Sequence, residues 1–565
     1  MNGHAFSKHS LSYEESINLL DEKNLSDVDS DAGKADNETR FPTAAAWANT
    51  ARSTLSSLPV PQRPPPMSAY LALLRRVGFF LLPSFVQSRL SHERKHASDK
   101  LGPTAYLDGM RGVAAFNVFL CHYLYTCFII AEGWGFEEHN YNFFKLPFVR
   151  LIYAGPPQVA IFFVVSGYAL SLKPVKLARQ QKWDGFATTM ASFVFRRAIR
   201  LFLPTAISTF MIVVLLRLGA YEWTRDFSRD STFMKNVQET APDLKDSLSE
   251  QLSDWGRNMF NFVHIWGWEP FGGSTYYDVH LWTIPVEFRA SMMLFLTMIG
   301  LARMRTWLRF AFLALVVWFS YRNDRWEMVL FYAGMLFAEL DVIRGAHTDP
   351  VSNAAAAAAA AAVSSSSQQQ LPVTEPKPFD LVGRGRQSSP VSSRKLKTAA
   401  WMLLSVGGLY LMSQPDVHGA KTPGWVYLSS LIPEWFSDKY RYWQCVGSIL
   451  FVLCVGHLPS WQRVFMTPVV QYLGRISYAI YLMHGPVIHT IGYATERWAW
   501  GVTGIEGWRY NAGFTLAAVF VVPSVVWAAD LFWRSVDAPV VRFAKWLESR
   551  CIVPEEGHGQ THGRS

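Results

Sequence analysis

LDGMRGVAAFNVFLCHYL, residues 107–124, is an apolar run that admits two charges near its start, Asp108 and Arg111, and one imidazole, His122, deep inside it. His122 follows Arg111 by eleven positions, and at about 100° per residue eleven steps close about three helical turns with roughly 20° left over. Both side chains therefore fall on one helical face. At about 1.5 Å per residue they stand about 16 Å apart along the axis, so an arginine near one membrane surface points the same way as an imidazole near mid-bilayer. Ionisable groups at that depth are expensive and mark functional sites by default. A histidine that packs between helices and bonds a neighbouring carbonyl is the plainer alternative.

The chain of 565 residues around this run is 50% hydrophobic and 17% charged, with 22 Trp, 22 Tyr and 39 Phe. Apolar runs of roughly 17–25 residues recur along most of its length, which predicts an all-α, polytopic membrane helix bundle. About ten transmembrane helices are expected, near residues 112–131, 151–172, 201–219, 281–300, 308–322, 327–342, 399–413, 442–458, 468–490 and 513–533. The net charge of +9 indicates no nucleic-acid partner, because the basic residues collect at the ends of apolar runs as the positive-inside rule requires. Segment 173–200 carries Lys173, Lys176, Arg179, Lys182, Arg196, Arg197 and Arg200 against Asp184 alone and is expected to be cytoplasmic. Segment 220–280 holds more acids than bases and is expected on the opposite side. Both termini then fall in the cytoplasm, while the identity of the membrane is not written in the sequence.

Residues 1–66 read as a disordered cytosolic arm that ends in the Pro-rich SSLPVPQRPPP. Residues 67–104 supply an interfacial amphipathic helix and linker, since Arg75, Arg76 and Pro83 interrupt the apolar pattern. The membrane domain proper spans 105–344 and 398–545. Between its parts lies a low-complexity insertion, 345–397, with nine consecutive alanines at 354–362, and a cytosolic tail occupies 546–565. Cys121, Cys127, Cys445 and Cys454 lie in or beside apolar runs and Cys551 in the tail, so no disulfide framework is implied. His280, His457, His484 and His489 lack partner spacings typical of zinc sites, and no metal is expected.

Four further stretches place polar groups where lipid would penalise them. GPPQVAIFFVVSGYAL, 155–170, brings Gln158 and Ser166 into a span, although its small residues first of all mark close helix packing. In FVFRRAIRLFLP, 193–204, Arg196 and Arg200 share a face and suit a bidentate phosphate clamp, or else a basic anchor that sets topology. VHLWTIPVEFRASM, 279–292, sets His280 and Glu287 seven apart with Pro285 between them. A glutamate inside a span needs a partner, expected among Arg289, His122 or a bound ligand. YLGRISYAIYLMHGP, 472–486, adds Ser477 and His484, the latter either lining a cavity or serving as a structural histidine.

Taken in order, LDGMRGVAAFNVFLCH, IFFVVSGY, the Arg-x-x-x-Arg of FRRAIRLFLP, HLWTIPVEF and GRISYAIYLMHGP resemble the successive blocks of the membrane-bound acyltransferase family 3. SVDAPVVRF is similar to its closing Val-Glu-x-Pro pattern, with Asp537 in place of the glutamate. The resemblance implies a ten-span enzyme that moves an acyl group, commonly acetyl from acetyl-CoA, onto an acceptor hydroxyl of a carbohydrate, a lipid or a small secondary metabolite. It makes Arg111 and His122 the functional pair and puts Arg196 and Arg200 in the donor-binding motif.

On this reading His122 is the general base, since an imidazole titrates near working pH and a hydroxyl needs a base to become a nucleophile. Arg196, Arg200 and Arg111 receive the polyanionic acyl-CoA. Glu287 orients His122 or binds acceptor hydroxyls, and Ser166, Gln158, His280 and His484 line the acceptor's path. The lipid bilayer is the partner the composition requires. A multi-pass transporter of a small polar or acidic solute is the main alternative, because intramembrane His, Glu and Arg also build substrate paths. A signalling receptor with a cytosolic arm has only the span count behind it.

Overall fold

A computed structural model describes residues 67–90, 101–137, 140–263, 274–346 and 390–552. The expectations for the arm at 1–66, the polyalanine insertion and the end of the tail fall outside the described residues. Among those described every extended element is helical, and β structure is confined to one isolated bridge, Thr275 to Asp278.

The amphipathic segment forms α1 (Met67–Leu81) and α2 (Ser84–Leu90), broken at Pro83, whose ring stops the first helix. Leu71, Leu74 and Phe80 are exposed beside Arg75 and Arg76, the composition of a helix lying in a membrane interface. This pair is a unit of its own.

The membrane domain begins with α3 (Ala105–Tyr125), α4 (Gly155–Arg179) and α5 (Trp183–Arg217). Pro156 and Pro157 open α4, where a missing N–H costs nothing. After α6 (Glu222–Ser228) and α7 (Leu248–Val263) come α8 (Thr283–Leu301), α9 (Thr306–Arg322) and α10 (Trp326–Arg344). The second part holds α11 (Pro390–Met412), α12 (Arg441–His457), α13 (Pro459–Phe465), α14 (Pro468–Arg475), α15 (Ser477–Val487) and α16 (Tyr493–Thr503). It closes with α17 (Trp508–Phe532) and α18 (Ala538–Cys551). One-turn π segments at Ile488–Gly492 and Trp533–Asp537 join α15 to α16 and α17 to α18.

α3 and α4 lie side by side at the centre. α3 also packs on α13, α14 and α15, and α4 on α5, α8, α10 and α12. Lipid tails are as apolar as leucine, so helices in a bilayer are drawn together by close packing and hydrogen bonds more than by water exclusion. The glycines supply that packing. A Cβ on Gly167 would sit 2.2 Å from the Phe331 carbonyl oxygen, and one on Gly334 would sit 2.2 Å from that of Val164, so α4 and α10 touch backbone to backbone. Gly112 and Gly474 make the same kind of contact between α3 and α14. The packing role assigned to the small residues of IFFVVSGY therefore belongs to Gly167.

Among the described residues four helices are long and apolar enough to cross a membrane: Gly155–Arg179, Trp183–Arg217, Val279–Leu301 and Trp508–Cys551. α12 and α13, bent by 100° at their junction, make a fifth if counted as one broken span. The chain is thus an integral membrane protein, though the length and composition of its helices do not establish ten crossings. The shortfall has a physical source. α3 carries Asp108, Arg111 and His122, α9 has only 17 residues, and α10 holds Glu327, Glu339, Asp341 and Arg344. The expected third span also starts earlier, because α5 runs for 35 residues and carries Arg196, Arg197 and Arg200 in its middle.

Candidate active site

α3 carries Arg111 and His122 to two ends of one helix interface. Along it lies α15, which Arg111 meets through Ser477 and His122 through His484. Arg111 Nη2 donates to Ser477 Oγ at 3.4 Å. The rings of His122 and His484 stack with centroids 5.2 Å apart. Both side chains of the eleven-residue spacing thus reach the same neighbouring helix.

A third imidazole completes the cluster. His280 sits in a 3-10 turn, Val279–Trp282, that precedes α8, and Asp278 caps the turn by accepting from the His280 backbone N–H at 3.0 Å. Its ring centroid lies 4.2 Å from that of His122 and 4.9 Å from that of His484. Beside it Gly485 is required, since a Cβ there would meet Asp278 Oδ2 at 2.7 Å. One ligating atom from each of the three histidines lies within 4.8 Å of the other two, a spacing that suits a metal ion. The ring nitrogens of His280 are both engaged, however, with Nδ1 2.8 Å from Asp278 Oδ1 and Nε2 2.8 Å from Glu239 Oε1. A ligating imidazole must turn a bare lone pair to the metal, and this one has none to turn. The geometry fits a carboxylate-anchored imidazole better than a three-histidine metal site.

The other two histidines differ from it. His484 is fully buried, with Nδ1 3.1 Å from the Ile480 carbonyl. A carbonyl only accepts, so Nδ1 carries the proton of the neutral ring and Nε2 keeps its lone pair. That atom is buried without a hydrogen-bond partner. His122 is half-buried and lies against both other rings and the edge of Tyr125.

Glu239 comes from the connection between α6 and α7. Its Oε1 accepts from the Tyr125 hydroxyl as well as facing His280. Its Oε2 lies 3.1 Å from His489 Nε2 and accepts from the Tyr493 hydroxyl at 3.3 Å. Burial pushes this carboxyl up, but the facing imidazoles of His280 and His489 outweigh it and hold it well below the usual carboxylate range.

At the Arg111 end the charges are cationic. Arg111 Nη1 lies 3.3 Å from Asp108 Oδ1, a long contact. Arg200 makes no hydrogen bond or ion pair within the described residues, and it faces the charges of Arg197, Asp537, Arg196 and Arg111. Arg196, expected to share the clamp with Arg200, is instead tied to α18 through Glu548 Oε2 at 3.0 Å.

Arg197, which the spacing argument passed over, points inward and bonds Glu287 Oε1 at 2.7 Å and Ser291 Oγ at 3.1 Å. The expected partner of Glu287 is therefore corrected from Arg289 or His122 to Arg197, with Ser166 donating to the same oxygen at 3.1 Å. The cause is local. His280 lies in the 3-10 turn and Glu287 in α8, so the regular helix on which the two would share a face is interrupted between them; His280 joins the imidazoles and Glu287 faces α5. Gln158 donates to the Leu151 carbonyl at 3.0 Å and serves the start of α4.

Sequence reasoning missed Glu239, Asp278, Tyr125 and Arg197. An aspartate two residues before a histidine is a capping signal that would have flagged Asp278. Nothing local marks Glu239.

A bundle of membrane helices that gathers three imidazoles at one end of a central helix and guanidinium groups at the other has the makings of a membrane-embedded enzyme. The chain belongs to the acyltransferase-3 family, whose acyltransferase domain matches residues 104–534, and it is an acyltransferase. It is 32% identical to O-acetyltransferase PaAT-1 of Phomopsis amygdali over 523 residues, covering 89% of this chain and 94% of that protein. It is 27% identical to Acyltransferase R4 of a Phoma species over 500 residues, covering 80% of this chain and 97% of that one. Acyltransferase clz18 of Cochliobolus lunatus is 25% identical over 493 residues, with 80% and 97% covered. No solved structure matches the chain.

Proposed function

We propose that this acyltransferase moves an acetyl group from acetyl-CoA to a hydroxyl of a carbohydrate, lipid or secondary-metabolite acceptor, with His122 as general base. The observation that carries the reading is the half-open imidazole of His122, backed by His280 and His484 and joined by one helix face to the cations at the far end of α3. The name O-acetyltransferase on a 32% identical relative supports the acetyl group and the hydroxyl acceptor.

His122 takes the proton of the acceptor hydroxyl as its oxygen attacks the thioester carbonyl. The tetrahedral adduct collapses with loss of the CoA thiolate, and the imidazolium returns the proton to that sulfur, so the base ends as it began. General-base assistance of this kind is worth roughly 10²–10⁴ in rate. Arg200 and Arg111 receive the phosphates of CoA, a guanidinium fork being the group suited to phosphate oxygens, and the pantetheine arm follows α3 toward His122. His484, stacked on the His122 ring from α15, backs the base. The chain crosses the membrane about ten times, with both termini in the cytoplasm and the Arg111 end facing the CoA supply.

Purified protein with labelled acetyl-CoA tests the reading. His122→Ala, recovered from the membrane at wild-type yield, is expected to lose transfer and residual thioester hydrolysis by at least about a hundredfold. Wild-type turnover in that variant would remove the base assignment. Solute flux across vesicles without thioester cleavage would favour a transporter.

A further inference from the structure

We propose that Glu239 is a positioning residue for the transfer reaction: the connection between α6 and α7 inserts its carboxylate among four side chains and thereby fixes His280 against His122. This inference rests on the reading of His122 as the base.

Glu239 is 4% exposed although its neighbours in sequence form no helix or strand. A buried carboxylate in irregular backbone is expensive unless every lone pair is answered. Here the partners come from four separate places: Tyr125 from α3, His280 from the turn before α8, His489 from the π segment after α15, and Tyr493 from α16.

The approach is built into the backbone as well. The amides of Asn236 and Val237 donate to the Thr126 carbonyl at 3.0 and 3.2 Å, and the Asn236 side-chain amide donates to the Tyr125 carbonyl at 2.6 Å. The connection therefore caps the end of α3 one turn beyond His122. A second anchor, the Thr224 hydroxyl, donates to the His489 carbonyl at 2.5 Å. Asp278 holds the other nitrogen of His280 and, with Glu239, leaves that ring no freedom to rotate. An imidazole whose two nitrogens are fixed by carboxylates sets a rigid wall for the ring packed on it, and His122 lies 4.2 Å away between centroids. Productive geometry at the base is thus set from the loop side.

The experiment compares the wild-type chain, Glu239→Gln, Glu239→Asp and His122→Ala in the same detergent preparation, with acetyl-CoA turnover, both KM values and thermal melting as readouts. Glu239→Gln keeps the shape and removes the charge. It is expected to lower kcat roughly 10–100-fold, by analogy with the loss when a metal-bound histidine is deprived of its outer-shell partner, with the acetyl-CoA KM unchanged. Glu239→Asp, which keeps the charge, is expected to recover part of the loss. A purely structural role would lower yield and melting temperature and leave kcat per folded molecule intact. If the glutamine variant retains kcat within about twofold while His122→Ala is dead, the positioning role is overturned and the base reading stands. If His122→Ala turns over normally, both fall together. Should the glutamine variant not be recovered, His489→Gln removes one support and leaves the carboxylate in place. A reduced kcat at unchanged donor KM is then the expected result, and an unchanged kcat overturns the proposal.

Discussion

At the residue scale, the stretch FRRAIRLF separates three arginines by what answers them. Arg196 is bound to Glu548 and Arg197 to Glu287, whereas Arg200 has no hydrogen-bonding acceptor among the described residues. An arginine that already shares its charge with a carboxylate gains less from a phosphate, because the incoming anion must compete with the resident one. Arg200→Lys is therefore expected to raise the acetyl-CoA KM about tenfold, roughly 1.4 kcal/mol, since lysine keeps the charge and loses the fork. Arg196→Lys should leave that KM within about twofold. Steady-state kinetics on the two variants checks the difference, and equal effects would return the clamp to the pair as the i, i+4 spacing first suggested. The spacing showed which arginines share a face but not which neighbour each one finds. Arg197 and Glu287 lie 90 positions apart, and only the packing of α5 on α8 joins them.

At the element scale, the helices are held by contact at glycines. Adding a Cβ at Gly334 places a carbon 2.2 Å from one backbone oxygen and 2.5 Å from a backbone nitrogen, and neither can move without shifting α4. At Gly300, in α8, nothing lies within 4 Å. Gly334→Ala should then destabilise by about 1–3 kcal/mol, the usual cost of overpacking. Gly300→Ala should stabilise slightly, by about 0.5–1 kcal/mol, through helix propensity. Thermal melting in detergent, read beside the wild type, gives both signs in one experiment, and a neutral Gly334→Ala would mean that α4 and α10 are free to separate. The sequence carried half of this. SGY in a span pointed to close packing at Gly167, but Gly334 lies in AGML with no motif to mark it, and its role follows from the crossing with Gly167 alone.

At the scale of the whole molecule, the sequence disclosed the helical class and the order of its blocks, since each block is a local pattern whose apolar period survives inspection. It disclosed less of the site. His122, His280 and His484 are more than 100 positions apart in the chain, so no ligand-like spacing betrays their convergence, and Glu239 lies in an acidic connection where a functional carboxylate looks like any solvated one. Sidedness is the property that links the pieces. The proposed route for CoA requires the Arg111 end of α3, near Arg200 and Asp537, to face the cytoplasm, and α18 departs from that end with Arg196 bound to its Glu548. The positive-inside pattern of 173–200 predicts the same end inside. Cys551, at the close of α18, is exposed, while Cys127, Cys445 and Cys454 are buried and Cys121 is half-buried within α3. A membrane-impermeant thiol reagent should therefore leave the protein unlabelled in intact cells and label it once the plasma membrane and internal membranes are permeabilised, with Cys551→Ser abolishing the signal. In sealed vesicles of the protein's own membrane with the cytoplasmic face outward, labelling should need no detergent. If Cys551 reacts only when those vesicles are opened, α18 and the cations beside it face away from the cytoplasm, and acetyl-CoA cannot reach Arg200 by the proposed route.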